Sequence, residues 1–212
     1  LTTESVLHNR VRASNSRILN LSPLVSIASE DLEMLLESMH SLHAHNVPLI
    51  PEDGIMISKS IRRSCVHLKA LSFDQCDLGN RGSVALLNAL IERYKEEECK
   101  LELLSLADCL VGHRTVCALS RAARVGVLSN LKSLILNGVR SRERSASSIS
   151  RILRSGSLRN LKTFSMARAS IGDLGGCRVS QSLSGTWLWG STFFSFTFSQ
   201  FTLEHRDTEL TT

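Results

Sequence analysis

The 212-residue sequence predicts an α/β solenoid of the horseshoe kind, with short parallel strands on the concave face and helices on the convex face. Two observations carry this expectation. One pattern recurs as LKALSFDQCDL (68–78), LELLSLADCLV (101–111), LKSLILNGVRS (131–141) and LKTFSMARASI (161–171), with starts 33, 30 and 30 residues apart. A near-fixed period of this size marks stacked structural repeats. Each copy is then followed by apolar residues at helical spacing.

With the first residue of each copy numbered zero, positions 0, 3 and 5 are Leu, Leu or Phe, and Phe, Leu or Met. Positions 3 and 5 share one face of a strand, so both point inward. Positions 0, 8 and 10 fill the wedge between strand and helix. Position 8 holds Cys76, Cys109, Val139 and Ala169. A small side chain suits it, and Cys is a small hydrophobe with a weak donor. Cys76 and Cys109 therefore read as buried structural thiols rather than ligands or nucleophiles.

The helices follow in order. Gly82, Leu86, Leu87 and Leu90 form the first inward stripe; Val116, Leu119 and Ala123 the second; Ile149, Ile152 and Leu153 the third; Gly175, Val179 and Leu183 the fourth. Ile50 and Gly54 precede Leu78 and Gly82 by 28 residues each, so the helical half also occurs earlier. Residues 18–39 read as a looser first unit, with a helix opened by Ser29 and acidic residues at 30, 31 and 33 in its first turn. These elements divide the chain into a lead-in (1–17), a solenoid (18–185) and a divergent Phe-rich tail (186–212). In the tail Phe193, Phe196, Phe198, Phe201 and Leu203 take positions 0, 3, 5, 8 and 10, which fits a terminal strand. Residues 179–203 lack charges, but Ser, Thr, Gln and Gly interrupt them too often for a membrane span.

The alternating pattern resembles the ribonuclease-inhibitor subclass of leucine-rich repeats. PLVSI (23–27), VPLI (47–50), LSLADC (104–109), IGDLGGC (171–177) and SLSGTWL (182–188) occur in this order. Together they resemble the repeat domain of the 78-kDa centrosomal protein family, which are ciliary and centriolar scaffolds. That resemblance implies work at the centrosome, centriole or ciliary base in cilium assembly. It implies protein partners: centriolar proteins, a kinase or a ubiquitin-ligase assembly. Members of that family continue with a further repeat after Trp-Leu and then a coiled coil; this sequence departs after Leu188.

Composition sets outer bounds. Hydrophobic residues are 42% and charged residues 21%, as in an ordinary globular domain. The six cysteines form no C-x-x-C pair, which suits reduced thiols in a cytoplasmic protein. The net charge of +5 is unevenly spread: residues 1–110 carry 11 basic and 15 acidic side chains, residues 111–178 carry 13 and 2. This predicts a polarised surface.

No Gly-rich phosphate loop, G-x-S-x-G elbow or H-E-x-x-H occurs. The expectation is no enzyme, no cofactor and no metal. His40, His43 and His45 match no zinc spacing and read as a partly exposed helix end. The basic run 139–162 reads as the solvated face of the third helix. It lacks interleaved aromatics, so neither nucleic acid nor membrane is an expected partner. Within it Ser145 and Ser147 suit a basophilic kinase.

A solenoid displays one outward row of side chains per strand. The expected partner-binding residues are Ser72, Asp74 and Gln75; Ser105, Ala107 and Asp108; Ile135 and Asn137; and Ser165, Ala167 and Arg168. The leading functional expectation is a protein-interaction scaffold. The alternative is a regulator of a small GTPase or the sensing portion of an innate immune receptor.

Overall fold

Leu71 and Phe73 leave one strand in the same direction, and both are fully buried. The computed structural model describes residues 18–21, 39–64, 67–95, 98–140, 143–184, 193–197 and 202–205. Strands β1 (Ile18–Leu21) and β2 (Ser41–His45) are followed by helix α1 (Pro51–Ser64). Then come β3 (Ala70–Asp74), α2 (Gly79–Arg93), β4 (Leu103–Ser105), α3 (His113–Val125), β5 (Ser133–Ile135), α4 (Glu143–Arg154), β6 (Thr163–Ser165) and α5 (Gly172–Ser184). Strands β7 (Phe193–Thr197) and β8 (Thr202–His205) follow.

The strands lie side by side in chain order in a single sheet. Each neighbouring pair from β1 to β7 is parallel. The predicted alternation of parallel strands and helices is therefore present. Register aligns the leucines: Leu42 sits beside Leu71, Leu71 beside Leu104, Leu104 beside Leu134, and Leu134 beside Phe164. Positions 0, 3, 5 and 8 of all four quoted copies are buried, and so are Leu78, Val111 and Ile171 at position 10.

The turn after each strand has a common cause. Position 7 is Asn46, Gln75, Asp108, Gly138 and Arg168 in successive units, and every one has φ between 52° and 70°. This left-handed residue bends the chain while its amide stays in the sheet ladder. The N–H groups of Asn46, Gln75, Asp108 and Gly138 donate to the carbonyls of Asp74, Ala107, Asn137 and Ala167 on the next strand, at 2.8–2.9 Å.

The helices pack on one side of the sheet. Helix α1 approaches α2 closely because Gly54 faces Gly82; a Cβ on Gly54 would lie 2.8 Å from the Gly82 Cα. The predicted inward stripes of α2, α3 and α4 are buried, as are Gly175 and Val179 of α5. The Leu183 side chain and the helix expected to open at Ser29 lie outside the described residues.

Two expectations are corrected. The histidine cluster is not a helix end: Ser41–His45 is strand β2, with Leu42 and Ala44 buried. Residues 39–49 are a further copy of the repeat, carrying Met39, Leu42, Ala44, Val47 and Leu49 at positions 0, 3, 5, 8 and 10. The tail register also differs. Phe193 pairs with Thr163 and Phe194 with Phe164, so Phe193 stands at position 2 rather than 0. Leu203 lies on β8, which runs antiparallel to β7, with Phe196 opposite Leu203.

Candidate partner-binding face

Positions 4 and 6 point away from the helices because positions 3 and 5 point toward them. The stripe they form crosses five strands, β2 to β6. It begins one strand earlier than expected, with His43 and His45 preceding Ser72 and Asp74. The signal for them was present in MHSLHAHNVPL (39–49), but Met39, Ala44 and Val47 replace more telling leucines or cysteines.

The eleven expected residues do share this face, yet they are not equally available. Gln75 and Arg168 are exposed, while Asp74, Asp108, Ile135, Asn137, Ser165 and Ala167 are half-buried. Ser72, Ser105 and Ala107 are buried, which corrects their assignment as contact residues. The cause is Asp74. Its carboxylate accepts from the Ser72 hydroxyl at 3.0 Å and from the Ser105 hydroxyl on the adjacent strand. The acid covers both serines.

The remaining polar groups are also tied to one another. The Asn137 side-chain oxygen accepts from the Ser165 hydroxyl at 2.7 Å and from the Ala167 amide at 2.8 Å. Arg168 forms an ion pair with Asp108, two strands away. It reaches over the intervening unit because position 7 there is Gly138, where a Cβ would collide with the Asp108 carboxylate. The pair is partly exposed and contributes at most about 1 kcal/mol. Its value is geometric, because it holds two charges in one place.

Behind this face lie the thiols. Cys76 and Cys109 are fully buried. Cys109 donates to the Phe73 carbonyl at 2.6 Å, and Cys76 to the Ala44 carbonyl at 3.6 Å. Each position-8 thiol thus reaches position 5 of the preceding unit. The Cys109 thiol is pushed well above its ordinary range by its contact with Cys76 and by burial. Burial pushes Cys99 up to about 11.

The two expected phosphorylation sites differ. Ser145 is fully buried, with its hydroxyl 3.3 Å from His113 Nδ1, so a kinase does not reach it in this fold. Ser147 is half-buried and accepts from Arg178 at 3.0 Å. Among the described residues no group of three or more His, Cys, Asp or Glu side chains is placed to hold a metal ion. No helix among them is long and apolar enough to cross a membrane. No family model matches the chain, and no curated protein matches it.

Proposed function

We propose that the chain is a non-catalytic protein-interaction scaffold. In this reading its strand and helix units form a leucine-rich-repeat horseshoe whose concave face holds the partner. One observation carries it: residues of five adjacent strands align at positions 4, 6 and 7 on the sheet face opposite the helices. Inter-strand hydrogen bonds hold this surface rigid, so little ordering entropy is lost when a partner binds. The ordered motifs that resemble the 78-kDa centrosomal protein family supply the place. The scaffold acts at the centriole or ciliary base, with centriolar proteins, a kinase or a ubiquitin-ligase assembly as partners.

The test is localisation of a tagged chain in ciliated cells. Centriolar puncta are expected, and a diffuse cytosolic signal overturns the placement. The docking face is tested separately by Ile135→Arg with Ala167→Arg, which adds bulk and charge at half-buried outward positions. Loss of at least tenfold in affinity for a captured centriolar partner is expected, about 1.4 kcal/mol. Unchanged affinity rejects the face.

A further inference from the structure

The helix side of the molecule carries a second organised surface. Counted in repeat positions, Arg81, Arg114 and Arg144 all stand at 13, Arg121 and Arg151 at 20, and Arg124 and Arg154 at 23. All seven are exposed. The rows therefore run from helix to helix, most densely over α3 and α4. Helix α3 has three arginines and no acidic residue; α4 has three arginines and only Glu143.

Stability does not account for the row at position 13. Arg81, Arg114 and Arg144 lie in the first turns of α2, α3 and α4. The helix dipole disfavours a cation there by roughly 0.3–1 kcal/mol. Arg81 is paired with Glu52 at 3.0 Å. Arg114, Arg124, Arg144, Arg151 and Arg154 make no ion pair among the described residues. An open cleft of about 800 Å³ between α2 and α3 is lined by Arg81, Arg114 and Arg121 together with His113.

We propose that the arginine rows of α3 and α4 dock an extended acidic segment of a partner protein. Charge complementarity selects an anion, and guanidinium groups match carboxylates with two parallel hydrogen bonds. Spacing selects the extended chain. Packed helices lie about 8–10 Å apart, and an extended polyproline-II segment rises about 3.1 Å per residue and returns to the same face every third residue. A carboxylate at every third residue therefore meets one arginine per helix. Neither α3 nor α4 contains Phe, Tyr or Trp, so the rows lack the interleaved large aromatic rings of a base-stacking platform. The apolar residues Val116, Leu119, Ile149, Ile152 and Leu153 are buried, which leaves no apolar stripe to enter a bilayer. This surface is separate from the sheet face and does not rest on the centriolar reading.

The test uses the full 212-residue chain and fluorescence anisotropy. The probes are a labelled peptide with Glu at every third residue, its Gln analogue, a DNA duplex and vesicles containing phosphatidylserine. The Glu peptide is expected to bind at least tenfold tighter than the Gln analogue and tighter than the duplex or vesicles. Arg114→Gln, Arg121→Gln, Arg144→Gln and Arg151→Gln together should weaken it at least tenfold, with circular dichroism confirming the fold. Should that variant not fold, Arg114→Gln with Arg144→Gln alone should weaken binding at least threefold. Ile135→Arg with Ala167→Arg should leave this binding unchanged, which separates its failure from that of the sheet face. Equal binding of the Glu and Gln peptides, preference for DNA or vesicles, or undiminished binding by the arginine variants overturns the proposal.

Discussion

Leu104 and Leu106 are each 2% exposed, at positions 3 and 5 of one unit. Replacing either by Ala removes buried methyl groups from a wedge that cannot collapse freely. The expected loss is about 2–5 kcal/mol in urea denaturation; losses under about half a kcal/mol at both sites contradict the assigned register. The thiols give a chemical check. Native Cys76, Cys99 and Cys109 should react slowly with a thiol reagent while exposed Cys177 reacts fast. Rapid native labelling of the three contradicts their burial. Cys99 also predicts a pH dependence. Its folded pKa is raised above the ordinary 9.0 to about 11, so its contribution is intact below pH 9 and is lost as pH rises toward 11. Stability should fall there by up to about 1.4 kcal/mol per pH unit for this thiol, and Cys99→Ala should flatten that slope.

Helix α3 shows how one element depends on its neighbour. Gly112 at its N-cap has no side chain to offer. Asn80 of the preceding helix accepts instead from the Gly112 amide at 2.9 Å and from the Thr115 hydroxyl at 3.0 Å. His113 repeats the contact one unit later, meeting Ser145. At the other end Asn130 donates to the Cys99 carbonyl and Asn160 to the Ser129 carbonyl, each at 2.8 Å. Asn80→Ala should cost about 1–2 kcal/mol, as loss of a cap does. Amides at the start of α3 should then exchange faster than those of α2; uniform exchange would contradict the capping role. These links mark the limit of what was legible beforehand. Leucine spacing revealed the strands and inward helix stripes, because periodicity reports which face a residue occupies. It did not reveal that Asp74 covers Ser72 and Ser105, or that Asp108 is tied to Arg168. Such bonds join residues 2, 31 and 60 apart through side-chain torsions that spacing leaves free. Strand β2 is concealed for a simpler reason: Met39 and Ala44 blur the leucine signature, and the histidines at 40, 43 and 45 give the segment a polar, surface-like composition.

At the scale of the molecule, among the described residues each strand pairs only with its neighbours in chain order. Stability is then close to a sum of unit and interface terms. Leu42→Ala, in the strand next to β1, should release hydrogen-exchange protection in β2 and α1 first and leave α3 and α4 protected. Equal loss in all units would reveal a single cooperative block. The Asp108–Arg168 clasp introduces an exception to this nearest-neighbour scheme. The other strand junctions join corresponding residues of adjacent units. The clasp spans a unit and needs a residue without a side chain beneath it. A copy inserted between β4 and β6 would part its two ends, and a copy bearing a side chain in place of Gly138 would push them apart. Inserting a unit among units two to four of the quoted series would therefore break a link that an insertion elsewhere leaves whole.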